Sequence, residues 1–98
     1  MKPITNYREL GRDPAISLLD HISDTPIPEK EKILAYLKSG TYDGVRCSLL
    51  YDYVKDVGTT ESIFLYTDGE YIWTSEEIYH FEHYNLALNP EFIQMFTE

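Results

Sequence analysis

Residues 62 to 85, Ser62-Ile-Phe-Leu-Tyr-Thr-Asp-Gly-Glu-Tyr-Ile-Trp-Thr-Ser-Glu-Glu-Ile-Tyr-His-Phe-Glu-His-Tyr-Asn85, write a hairpin and then a helix in one continuous run. Two β-branched and aromatic runs, Ile63 to Tyr66 and Tyr71 to Trp73, flank Asp68-Gly69, a pair suited to a two-residue type I′ turn in which both central residues take positive φ. Past Trp73, Thr74 or Ser75 is placed to cap the free N–H groups of a helix, and Glu76 and Glu77 bring negative charge to the positive end of its dipole. The helical period sets Ile78, Phe81 and Asn85 on one side and Glu76, His80 and His83 on the other, which reads as a solvated face.

Working back from the hairpin, the period is two between Val45 and Val54. Cys47, Leu49, Tyr51 and Tyr53 fall on one side, expected to be the more buried, and Arg46, Ser48, Leu50, Asp52 and Val54 on the other. Lys55 to Thr60 then reads as a connection, and three successive strands predict an antiparallel meander. Such a small sheet cannot bury its apolar face alone and needs helices for cover. Asp13-Pro14 has the form of a cap and first-turn proline, and Ala15, Leu18, Leu19 and Ile22 are spaced as one helical stripe. Thr25-Pro26-Ile27-Pro28 interrupts the chain, and a second helix opens near Pro28 with Ile33, Leu34 and Leu37 facing inward. Gly40 stands where a helix C-terminus favours a left-handed residue. Residues 1 to 12 read as an irregular lead-in packed through Tyr7 and Leu10. At the other end, Asn89-Pro90-Glu91 opens a last helix that docks through Phe92, Ile93 and Phe96. The sequence therefore predicts one α+β domain over residues 1–98, a three-stranded antiparallel meander with two N-terminal and two C-terminal helices.

Composition bounds the function. The 98 residues suit one modest core, and the 43% hydrophobic and 14% aromatic fractions argue against disorder. Seventeen acidic against eight basic residues give a charge of −9, a poor match for nucleic acid or an anionic membrane and a good match for a basic protein. A single cysteine, Cys47, rules out an internal disulfide and permits a reducing compartment. The N-terminal residues lack the apolar core of a signal peptide and no apolar run is long enough to span a bilayer, so the cytoplasm is the expected location.

Glu77-x-x-His80 and His80-x-x-His83 have the spacing of helical metal ligands, but a complete site needs a second such motif, and the only other histidine, His21, is not in one. The chain has no nucleophile elbow, P-loop or dinucleotide fingerprint, and Cys47 lies on the strand face expected to be buried. The expectation is a protein that is not an enzyme and holds no metal or cofactor. Its nine tyrosines and many acids suit an interface.

Leu37-Lys-Ser-Gly40, Thr67-Asp-Gly-Glu-Tyr-Ile-Trp73, the aromatic helix Ile78 to Tyr84 and the ending Leu88-Asn-Pro-Glu-Phe92 resemble a group of small bacterial proteins, the immunity proteins of polymorphic toxin and contact-dependent growth inhibition systems. The resemblance covers residues 30 to 96, and Thr74 stands where the group often has proline. It implies a cytoplasmic antidote that binds and neutralises a toxin domain, such as a nuclease with a basic substrate surface. An acidic adaptor or regulatory domain is the alternative. The variable part of the resemblance is the first strand and its following loop. Partner contacts are therefore expected at Asp52, Tyr53, Asp56 and Glu61, with Asp43 and Glu70 as further acidic candidates.

Overall fold

Trp73 lies fully buried, and its indole N–H donates to the carbonyl of Leu37 at 3.0 Å, joining the last strand to the first helix. Around it the computed structural model, which describes residues 2–97, arranges four strands and three α-helices. In chain order these are β1 (Lys2–Pro3), α1 (Lys30–Lys38), β2 (Thr41–Asp52), β3 (Val57–Thr67), β4 (Tyr71–Thr74), α2 (Ser75–Tyr84) and α3 (Pro90–Thr97). The sheet order is β1-β4-β3-β2, with β1 parallel to β4 and the other pairs antiparallel. Among the described residues no helix is long and apolar enough to cross a membrane.

This corrects the expected three-stranded meander with four helices. The added strand is a two-residue pairing of Lys2 with Tyr71 and Pro3 with Ile72, made by a segment that reads as irregular in the sequence. Proline suits this edge position because it has no N–H to give the ladder. What holds it there is Asn89, whose backbone N–H donates to Ile4 O at 2.7 Å and whose side-chain amide donates to Pro3 O at 3.2 Å.

The missing helix is the one expected over residues 13 to 22. Local polar side chains take the backbone groups that a helix would use. Asp13 accepts from Ala15 N–H at 2.9 Å, Glu9 accepts from Leu18 N–H at 3.0 Å and from the Ser17 hydroxyl at 2.6 Å, and only 3₁₀ turns form, at Arg8–Leu10 and Leu18–Asp20. The apolar residues still find a core. Leu18 packs with Tyr7, Leu10 and Leu86 in a small cluster separate from the main one.

The main core joins Ile4, Ile33, Leu37, Tyr71, Trp73, Ile78, Phe81, Leu88, Phe92 and Phe96. The β3–β4 hairpin forms as the sequence predicts, but its turn is different. Gly69 has a positive φ of 97°, while Asp68 is not among the positive-φ residues and instead accepts from Glu70 and Tyr71 N–H at 2.9 and 2.7 Å. The Asp68 side chain thus closes the turn together with its own backbone N–H, which donates to Tyr71 O at 3.3 Å. Thr74 is the helix cap, and it forms a full capping box with Glu77.

Gly40 is not in the left-handed region; its role is to let the indole in. A β-carbon there would stand 2.5 Å from Trp73 Cζ2 and 3.1 Å from Tyr66 Cβ. Gly40→Ala should therefore cost roughly 1–3 kcal/mol through overpacking, read as a lower melting temperature with a red-shifted tryptophan emission. An unchanged melt would show that the indole can move aside.

Candidate functional site

The β2–β3 ribbon is the part of the fold that its own core uses least. β4 pairs with β3 only from Leu65 to Thr67, so residues 57 to 64 of β3 extend past it, paired with β2 alone. Ser75 covers one resulting gap by accepting from Phe64 N–H at 3.0 Å. β2 is the outer edge of the sheet. On this ribbon Val45 lies opposite Phe64 and Leu49 opposite Ser62; residues two apart on β3 share a side, so all of these point the same way. The Tyr42 ring lies 6.1 Å from that of Phe64. Tyr42, Val45, Leu49 and Phe64 are 59%, 52%, 57% and 38% exposed, which gathers most of the large exposed hydrophobic side chains of the described chain onto one ribbon.

The alternation within β2 is the reverse of the one its sequence suggests: Leu50 and Asp52 are buried, while Cys47 and Leu49 are exposed. Register shifts between Arg46 and Leu49 and between Leu49 and Tyr51 are the reason, since each bulge re-aims the side chains that follow. The strand also continues to a tighter end than expected. Residues 53–56 form the turn, and Val57 to Thr60 belong to β3.

That turn is clasped by α2. Asp52 accepts hydrogen bonds from Val54 and Lys55 N–H at 3.0 and 2.8 Å and from the Tyr79 and Tyr84 hydroxyls at 2.7 and 2.5 Å. Burial alone would raise its pKa, but these four donors outweigh it and hold the carboxyl down at about 2. Burial, followed by the bond to Asp52, raises the Tyr84 hydroxyl. Glu76 accepts from Tyr51 N–H at 2.9 Å, and burial lifts its pKa above the ordinary value. His80 Nε2 accepts from Tyr53 N–H at 3.1 Å while Nδ1 faces the Glu76 carbonyl at 2.7 Å, which fixes the neutral tautomer with its proton on Nδ1. Burial lowers the His80 pKa in agreement with that assignment.

The face of α2 read as solvated is therefore partly interior. Glu76, Glu77 and His80 are buried, and only His83 of that set is exposed. Among the described residues no three His, Cys, Asp or Glu side chains are grouped to hold a metal ion.

The six expected contact residues do not form one patch. Asp52 is inside the clasp. Tyr53 is half-buried, its ring 5.6 Å from that of His80. Asp56 is exposed in the turn and accepts from the Tyr51 hydroxyl, Glu61 is exposed on β3, and Asp43 is exposed on β2 beside Tyr42. Glu70 lies at the opposite end of β3, 3.8 Å from Lys2 Nζ, so the ribbon separates it from Asp56 by about 30 Å at 3.3 Å per residue. The residues that sequence reasoning missed are Val45, Leu49 and Phe64; Tyr42, beside Asp43, is one of the tyrosines that the sequence offers for an interface, and it is exposed. One signal was present, because apolar residues occur on both alternating sides of 45–50, more than a one-sided sheet needs.

Asp52 gives a pH test. Its folded pKa, about 2, is below the ordinary 3.8, so its contribution is complete above about pH 4 and is lost as pH falls toward 2. Asp52→Asn should be less stable than the parent at pH 7, and the gap measured by urea denaturation should close between pH 4 and 2. A gap independent of pH would mean that packing, not the carboxylate charge, holds the turn.

Comparison of the chain with family models, with curated proteins and with solved structures finds no match, which leaves this exposed ribbon and its clasp as the basis for a functional reading.

Proposed function

We propose that this protein acts by binding another protein, as an immunity protein that covers a basic toxin domain with the exposed side of the β2–β3 ribbon. It works in the cytoplasm, without catalysis or cofactor of its own. One observation carries the reading: four large apolar side chains, Tyr42, Val45, Leu49 and Phe64, stand in solvent together on an edge ribbon. Contiguous exposed apolar surface marks interaction sites, and aromatic anchors with a polar surround are the usual pattern of an interface.

Charge supplies the choice of partner. With a net charge of −9 the chain attracts basic surfaces, and steering of this kind raises association rates by about 10- to 10³-fold at low salt. Asp43, Asp56 and Glu61 are the expected acids that remain available for contact, whereas Asp52 is fully occupied inside the turn. A catalytic role is disfavoured because the buried groups of α2 are committed to backbone hydrogen bonds.

The test is co-expression with the product of the neighbouring gene, where the toxin domain is expected. The parent chain should protect cells, and Leu49→Lys with Phe64→Lys should keep its melting temperature while losing at least about tenfold in affinity, the range expected for removing interface anchors. A stable complex without protection would indicate an adaptor. A parent chain that neither binds nor protects would remove the immunity reading.

A further inference from the structure

A groove runs between the ribbon and the outer side of α2. Its floor is apolar, formed by buried Leu50 and Ile78, and Tyr66 and Tyr79 contribute to its walls. The Tyr79 hydroxyl is already bonded to Asp52, so this residue offers its ring. Glu61 and Glu82 also line the groove, and both are exposed. At about 250 Å³ it is below the roughly 300–1,000 Å³ typical of small-molecule sites, a volume suited to a single side chain.

Lys38, also a lining residue, places its ammonium 3.2 Å from Glu82 Oε2. The chain thus seats one of its own cations at this rim. That pair is about half exposed on both sides, and ion pairs of this kind are weak and readily exchanged. Glu61 forms no ion pair among the described residues, so one carboxylate of the groove is open.

We propose that this groove takes one arginine or lysine side chain of the basic partner, a refinement that rests on the reading of the ribbon as its docking surface. The aliphatic stem lies on Leu50 and Ile78 beside the tyrosine rings, as long cationic side chains do when their heads remain in water. The cationic head meets Glu61 and competes with Lys38 for Glu82. Arginine is the better occupant, since its planar guanidinium can stack on an aromatic ring while bonding to a carboxylate.

The competition makes the proposal testable in both directions. The isotope-labelled chain is titrated with Ac-Gly-Arg-Gly-NH₂ and followed by amide chemical shifts, with the norleucine tripeptide as control. The arginine peptide should give saturable shifts centred on Leu50, Glu61 and Ile78, and the control none. Lys38→Met, which keeps the stem and removes the competing charge, should tighten binding by about threefold, and Glu61→Gln should weaken it by about the same factor, the scale expected of exposed charge pairs. Melting temperatures of both variants should match the parent. Shifts spread over all acidic surfaces, or affinities unchanged in both variants, would overturn the proposal. Full protection from the toxin by Glu61→Lys with Glu82→Lys would remove the groove and leave the immunity reading. Peptide binding here by a chain that protects against no toxin would leave the groove and remove that reading.

Discussion

The carboxylate of Glu77 is the point from which the structure is tied together. It is fully buried, and it accepts from Thr74 N–H at 3.2 Å, from the Thr5 hydroxyl at 2.9 Å and from the Arg12 guanidinium at 3.2 Å. Arg12 in turn donates to Thr5 at 2.7 Å. One side chain thereby connects the N-terminal segment, the end of β4 and the first turn of α2. Burial raises the Glu77 pKa, and Arg12 with the other donors opposes that rise. A buried ion pair of this sort adds little over a well-packed apolar alternative, yet removing one partner typically costs about 3–5 kcal/mol because the other charge remains inside. The network therefore fixes where the N-terminal segment docks more than it adds to net stability.

The parts of the fold that could be read from the sequence are those set by local chemistry. Thr74, one of the two expected caps, starts α2, the β3–β4 hairpin forms although its turn is not the expected type I′, and Trp73 is buried against α1 and α3. Pro90 starts the last helix as predicted. The parts that could not be read depend on partners far away in the chain. Lys2 pairs with Tyr71, and nothing near Lys2 encodes that register. The stripe Ala15, Leu18, Leu19, Ile22 has correct helical spacing, but Glu9, Asp13 and Ser17 divert its backbone groups into turns.

The candidate surface was harder still, for a related reason. Bulges inside β2 exchange its two sides, so a simple alternation puts Leu49 inward and Asp52 outward when the reverse holds. Glu76 and His80 look like surface residues in a first and second helical turn. They are interior because the N–H groups of Tyr51 and Tyr53 need acceptors where the strand ends. A buried polar side chain that serves another segment's backbone leaves no periodic trace in its own helix. With one end of the ribbon clasped by α2 and the other paired to β4, its middle is held in place while its apolar side chains stay free.

The two separate hydrophobic clusters carry a consequence for how the molecule opens. The smaller, of Tyr7, Leu10, Leu18 and Leu86, is joined to the rest mainly by polar links, among them Tyr7 to Ala87 O, Ala87 N–H to His21 O at 3.0 Å and Ser23 N–H to Tyr84 O at 3.0 Å. Stability in such a chain is not uniform, and segments with few shared apolar contacts form their own cooperative opening units. Residues 5 to 25 carry most of this cluster, and what holds them against α2 is the Glu77 network, which loses Thr5 and Arg12 if the segment is released. Its release would uncover the Arg12 side of Glu77 and the tyrosine-lined underside of the β2–β3 turn without unfolding the ribbon itself.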